Sequence, residues 1–162
     1  MTYTQDPQHI LQSGYRYALS LVHQALDAED LVHDAWLKAY PKYGTKLTQS
    51  LFFTTIRNLY IDQYRRNQLA VFEAFDEETY KEIEIDTKHD ISSEDLDQAL
   101  AKLNSNEREA IFLNIVEGYS TQEIADKTDR SRNTVLSHIH RGKRKLVHTL
   151  TALINRRNPL QG

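Results

Sequence analysis

Between Arg130 and Arg157 the chain carries eight basic residues, Arg130, Arg132, Arg141, Lys143, Arg144, Lys145, Arg156 and Arg157, and no acidic one. Cations at that density neutralise phosphates, so the chemistry open to this stretch is the gripping of a polyanion. The residues just before it say how. Ser120-Thr121-Gln122-Glu123 has the spacing of a capping box, and Thr128-Asp129-Arg130-Ser131 reads as a tight turn before a longer helix running from Arg132 to about Asn155. Ala125 and Val135 stand ten apart across that turn. A small residue there lets two helices approach and a β-branched one locks their crossing, as in a helix-turn-helix whose second helix enters the major groove.

Two other groups of side chains could do chemistry. Phe53, Tyr60 and Tyr64 are interleaved with Arg57, Asn58, Arg65 and Arg66. Each ring taken alone serves a core as well as a binding site. Glu29, Asp30 and Asp34 place carboxylates on one side of a helix. Capping and dipole stabilisation account for Glu29 and Asp30, but not for Asp34.

Catalysis finds no support. The chain has no cysteine, which removes disulfides, thiolate zinc and a thiol nucleophile. His138 and His140 are two apart, on different sides of a helix, and His33 beside Asp30 and Asp34 makes a poor metal triad. There is no phosphate-cradling glycine loop and no nucleophile motif. The expectation is a protein that is not an enzyme and needs no cofactor or metal.

The elements that must hold these groups are helices. With 162 residues, 5 Gly and 3 Pro, the composition favours an all-α architecture of one domain or two small ones. A first helix is expected to bury Leu11, Tyr15, Ala18 and Val22. A second, capped by Asp27 with Asp30 three residues on, buries Ala28, Leu31, Val32, Ala35, Trp36 and Ala39 and stops at Pro41 and Gly44. A third runs from Thr48 to about Arg66 around Phe52, Ile56 and Leu59. Then the charge changes: residues 1–68 carry 7 Lys and Arg against 6 Asp and Glu, 69–95 carry 2 against 10, and 96–162 carry 11 against 7. The middle stretch reads as an acidic linker. Helices resume with Ser92 or Ser93 as N-cap, then over Asn106 to Glu117 with Gly118 leaving through a left-handed conformation. On the last helix Val135, Ile139, Gly142, Leu146 and Leu150 face inward. No apolar run reaches the ~20 residues of a membrane helix, and the polar start Met1-Thr2-Tyr3-Thr4-Gln5-Asp6 has no signal-peptide pattern, so a cytoplasmic location without membrane insertion is expected.

These motifs carry a resemblance. Leu103-Asn104-Ser105-Asn106-Glu107-Arg108-Glu109-Ala110, Glu117-Gly118-Tyr119-Ser120, Glu123-Ile124-Ala125, Thr134-Val135 and Arg141-Gly142-Lys143-Arg144-Lys145-Leu146 resemble region 4 of the bacterial sigma-70 family. Ala28 to Tyr40 resembles region 2.2, and Arg57 to Arg66 resembles region 2.4. Two such domains around an acidic linker are similar to the short extracytoplasmic-function (ECF) group. The resemblance implies sigma region 2 at 1–68, the linker at 69–95 and region 4 at 96–162. It implies core RNA polymerase and promoter DNA as partners, and admits an anti-sigma protein. Polymerase would be bound by Glu29, Asp30, His33, Asp34 and Lys38. The minus-ten element would meet Phe53, Arg57, Asn58, Tyr60, Tyr64, Arg65 and Arg66. The minus-thirty-five element would meet Ser131, Arg132, Asn133, Thr134, Leu136, Ser137, His138, Arg141, Lys143 and Lys145.

Some positions depart from that family pattern. Asp129 replaces the usual Gly of the turn and Thr128 and Arg130 replace apolar residues, so a loosely packed helix-turn-helix is expected. Asn133, Leu136 and His138 stand for the common Gly, Lys and Arg, and Leu51 for the usual Trp. The rival reading from another class is a sigma-like interaction module that sequesters a regulator without reading DNA.

Overall fold

The computed structural model describes residues 6–63 and 91–157. They form two compact helical units that divide within residues 64–90, and no strand occurs among the described residues. The expected acidic linker lies largely outside the described residues, as do Tyr64, Arg65 and Arg66.

The first unit is three mutually packed helices: α1 (Pro7–Val22), α2 (Ala25–Tyr43) and α3 (Gln49–Gln63). Asp6 caps α1 by accepting from the Gln8 amide at 3.2 Å, with Pro7 in the first turn where a missing N–H costs nothing. The buried face of α1 is Ile10, Ser13, Gly14, Tyr17, Ala18 and Leu21. This corrects the expected stripe, of which Leu11, Tyr15 and Val22 are only half-buried. The reason is Gly14: a Cβ there would overlap the Phe52 ring of α3, so the helix turns its small residues inward to let α3 approach. Apolar periodicity reads that face as polar.

The second helix also departs from expectation. It starts at Ala25 with Gln24 at the N-cap and no side-chain cap bond, and it runs through Pro41 to Tyr43 before Gly44 ends it at φ +54. Leu31, Ala35 and Phe52 are fully buried, and Trp36 meets Phe52 edge to face at 5.8 Å. A short 3-10 turn, Gly44–Lys46, leads to α3, where the Thr48 hydroxyl accepts from the Leu51 amide at 3.2 Å.

The second unit comprises α4 (Ser93–Ala101), α5 (Ser105–Ile111), α6 (Thr121–Thr128) and α7 (Arg132–Arg157). Ser92 caps α4, accepting from the Asp95 amide at 3.2 Å, so helix begins inside the stretch that charge alone marks as linker. Asn104 and Glu107 close a capping box at α5. Beyond Ile111 the chain continues through a π-helical segment, Phe112–Val116, closed by Glu117 N–H to the Phe112 carbonyl at 3.1 Å, and leaves Ile115 and Val116 exposed. Gly118 then takes φ +75, the expected left-handed exit.

Packing is organised on α7, which touches α4, α5 and α6. Ala99, Leu103, Ile111, Leu146 and Leu150 form one cluster of the core, and Gly142 lies so close to Ile111 that a Cβ would overlap its Cδ1. Arg108, 9% exposed, donates from Nη1 to the Leu103 carbonyl at 2.7 Å and the Leu100 carbonyl at 3.3 Å, supplying a cation at the end of α4.

Candidate polymerase and nucleic-acid interfaces

On α2 the helix start at Ala25 puts only Asp27 in the first turn. Glu29, Asp30 and Asp34 all lie beyond it and are exposed, so capping explains none of them; this corrects the capping role expected for Glu29 and Asp30. His33 and Lys38 are exposed on the same helix. The sequence reading missed what stands among them: Leu26, Leu37 and Tyr40 are 76%, 60% and 45% exposed. With His33 they recur at helical spacing as a second stripe, a signal that was legible once the buried stripe had been subtracted. Carboxylates flanking exposed apolar side chains suit a basic, amphipathic helical partner.

The minus-ten set divides. Asn58 is exposed and Arg57 half-buried on α3. Phe53 and Tyr60, however, are 6% and 9% exposed, and Phe53 stacks on Tyr17 at 4.6 Å between centroids. The base-stacking role expected for these two rings is therefore corrected to a core role, since both are buried and Phe53 packs on α1. Exposed Lys42 and Lys46, at the end of α2 and in the 3-10 turn, are cations the sequence reading did not single out. The Lys42 ammonium sits 5.2 Å from the Tyr43 ring.

In the second unit α6 and α7 make the helix-turn-helix. Ser120 and Glu123 form the expected capping box, with Glu123 N–H to Ser120 Oγ at 3.1 Å and Ser120 N–H to Glu123 Oε1 at 3.1 Å. Tyr119 precedes it, its phenol pushed up by burial and by Glu117 and Glu123, under the Lys127 ammonium at 4.6 Å. Asp129 accepts the left-handed conformation at φ 53, ψ 48. The turn is not loose: Ile124, Ala125, Thr128 and Val135 are all buried, and the Thr128 hydroxyl donates to the Ile124 carbonyl at 2.7 Å, which is how a polar residue occupies an apolar position.

The start of α7 is the accessible part. Ser131, Arg132 and Asn133 are exposed, Thr134 and Leu136 half-buried, and Ser131 Oγ accepts from the Thr134 amide at 3.1 Å. Arg141 and Lys143 are half-buried further along. Three expected DNA contacts need correction. Ser137 and His138 are 3% and 6% exposed, and His138 belongs to the inward row with Val135, Ile139 and Gly142. Lys145 donates to Glu107 Oε1 at 2.7 Å, a carboxylate with no exposed surface. Arg130 likewise pairs with Glu109 at 3.2 Å, and Arg157 with Asp95. At least three of the eight cations are thus compensated by acids of α4 and α5, which a count along the sequence cannot pair.

Two family models match the chain, sigma-70 region 2 over residues 8–70 and sigma-70 region 4 over residues 93–146. The ECF RNA polymerase sigma factor EcfG of Rhodopseudomonas palustris is 31% identical over 137 residues, 80% of this chain and 75% of that protein. The chain belongs to the ECF group of the sigma-70 family. The ECF RNA polymerase sigma factor SigL of Mycobacterium tuberculosis is 30% identical over 147 residues, covering 86% of this chain and 83% of its own. The sigma factor RpoE of Bartonella quintana, solved with the anti-sigma factor NepR, has the same fold, at TM-score 0.67 and 24% identity over 92% of this chain and 96% of that one. As an ECF sigma factor, the protein acts in promoter-specific transcription initiation. Among the described residues no helix is long and apolar enough to cross a membrane, and no group of acidic and histidine side chains could hold a metal ion.

Proposed function

We propose that this sigma factor docks on core RNA polymerase through α2 and directs it to promoters through α3 and the start of α7, contributing binding and placement while the polymerase catalyses synthesis in the cytoplasm. Region 2 occupies 1–68 and region 4 occupies 96–162 together with the turn of α4 before it. Polymerase binds Glu29, Asp30, His33, Asp34 and Lys38, with Leu26 and Leu37 as apolar anchors. Arg57 and Asn58 on α3, with Tyr64, Arg65 and Arg66 from the sequence pattern, serve the minus-ten element, and Phe53 and Tyr60 support that helix from beneath. Arg132, Asn133 and Leu136 read the minus-thirty-five element, Ser131 and Thr134 hold the helix start, and Arg141 and Lys143 meet phosphates.

The observation that carries this reading is the exposed start of α7, where Ser131, Arg132 and Asn133 stand free of the core on a helix that α6 crosses. A module that only sequesters a regulator has no use for it. An anti-sigma partner of the kind bound by the Bartonella factor fits the same picture by covering the Leu26, Leu37 and Tyr40 stripe in competition with polymerase.

Transcription from a random promoter library with purified core polymerase tests the whole. Enriched sequences should share two conserved blocks at minus ten and minus thirty-five. Asp34→Lys should abolish binding to core at unchanged helical content; unchanged binding removes the docking assignment of α2.

A further inference from the structure

Arg130 stands in the turn between α6 and α7, one residue before the Ser131 that opens α7. Its side chain is 12% exposed, too little for a cation that serves phosphates. Nη1 donates to Glu109 Oε1 at 3.2 Å and Nη2 donates to Asn106 Oδ1 at 2.6 Å, both acceptors on α5. Glu109 is itself 2% exposed. Bonds from two nitrogens of one rigid plane fix direction as well as distance, which an apolar side chain in the same turn cannot do. The backbone is fixed at the same place, for the Arg130 amide donates to the Ala125 carbonyl at 3.0 Å behind the left-handed Asp129.

We propose that Arg130, Asn106 and Glu109 form a positioning clamp that sets the angle at which Arg132 and Asn133 meet base edges. The inference rests on the reading that the start of α7 contacts DNA. Arg130 then acts through geometry and not through its charge, and this separates it from a phosphate contact. Losing a phosphate cation flattens the log-log salt dependence by about one and weakens all sequences alike. Losing a clamp leaves the slope and blunts discrimination. Glu109 gives a contrast of sign: if charge alone mattered, removing its carboxylate should strengthen DNA binding, whereas the clamp requires it for specificity. Buried ion pairs act in this way in some proteins, specifying geometry more than adding stability.

The test uses holoenzyme made from core polymerase and the full chain, a minus-thirty-five duplex selected from a random library, a scrambled duplex and a salt series. Arg130→Met and Glu109→Met, which remove the donor fork and its acceptor in turn, should each lower discrimination about tenfold, the worth of one displaced base contact, at wild-type salt slope and core affinity. Arg130→Lys, which keeps the pair with Glu109 but not the fork, should recover part of that loss. A slope flattened by about one with discrimination intact in Arg130→Met overturns the clamp. So does Glu109→Met binding both duplexes more tightly with discrimination intact. Should Arg130→Met fail to fold, Asn106→Ala removes one arm at a half-buried residue, and unchanged discrimination there also overturns it. A wild-type holoenzyme with no minus-thirty-five preference overturns the assignment of α7 itself, and the clamp with it.

Discussion

Lys143 and Lys145 are two positions apart on α7, both half-buried and both basic, yet they do different work. Lys145 is spent on Glu107, whose Oε1 it shares with the Asn104 amide. Removing it leaves a carboxylate with no exposed surface short of its cation, which costs about 1–3 kcal/mol of stability. Lys143→Ala should therefore flatten the salt dependence of promoter binding by about one unit. Lys145→Ala should barely change the slope while lowering the melting temperature of the second unit. Paired salt titrations and thermal scans check this; equal slope changes for the two would return Lys145 to the DNA contacts. The sequence could not make the distinction, because Glu107 is 38 positions away and nothing in the spacing along α7 marks which lysine faces α5. The opposite holds for Ser120 and Glu123, whose capping box is local and was legible in four letters.

At the scale of elements, α7 crosses α5 at Gly142. In an isolated helix Gly→Ala stabilises by about 1 kcal/mol. Here the sign should reverse, because the new methyl overlaps Ile111 Cδ1 and the cost of overpacking is about 1–3 kcal/mol. Gly142→Ala should lower hydrogen-exchange protection across α5 and α7, and adding Ile111→Val, which removes only the overlapping Cδ1, should restore part of it by making room. Increased protection in the single variant would mean that the two helices do not meet there. Close crossings also explain which helices the sequence misplaced. The inward row of α7 was found because Val135, Ile139, Leu146 and Leu150 are large and apolar around one glycine. The inward row of α1 was missed because Ser13 and Gly14 sit in it, so hydrophobic period alone rotated the helix toward Leu11 and Tyr15. Among the described residues helix order was legible, although the π-helical turn at Phe112–Val116 was not; rotation was legible only where apolar residues marked the buried face.

For the whole molecule the decisive quantity is how charge is divided. The acidic stretch at 69–95 stands between two more basic segments, and acids held near basic surface compete with nucleic acid for it. Replacing Glu77, Glu78, Glu82 and Glu84 with Gln should raise the affinity of the free factor for non-specific DNA, most clearly at low salt. Unchanged affinity in a salt series would make the stretch a spacer only.

A further consequence follows from the pair between Arg157 and Asp95, with the Arg157 guanidinium also 3.5 Å from Ser92 Oγ. It fastens the last turn of α7 to the first turn of α4, so the first and last described helices of the second unit are tied at their ends. For protein engineering this makes region 4 a candidate for circular permutation, since a short join between Arg157 and Ser92 spans little distance and loses little loop entropy. The same buckle means that a reporter joined directly to Arg157 starts beside the first turn of α4, at the opposite end of α7 from Asn133.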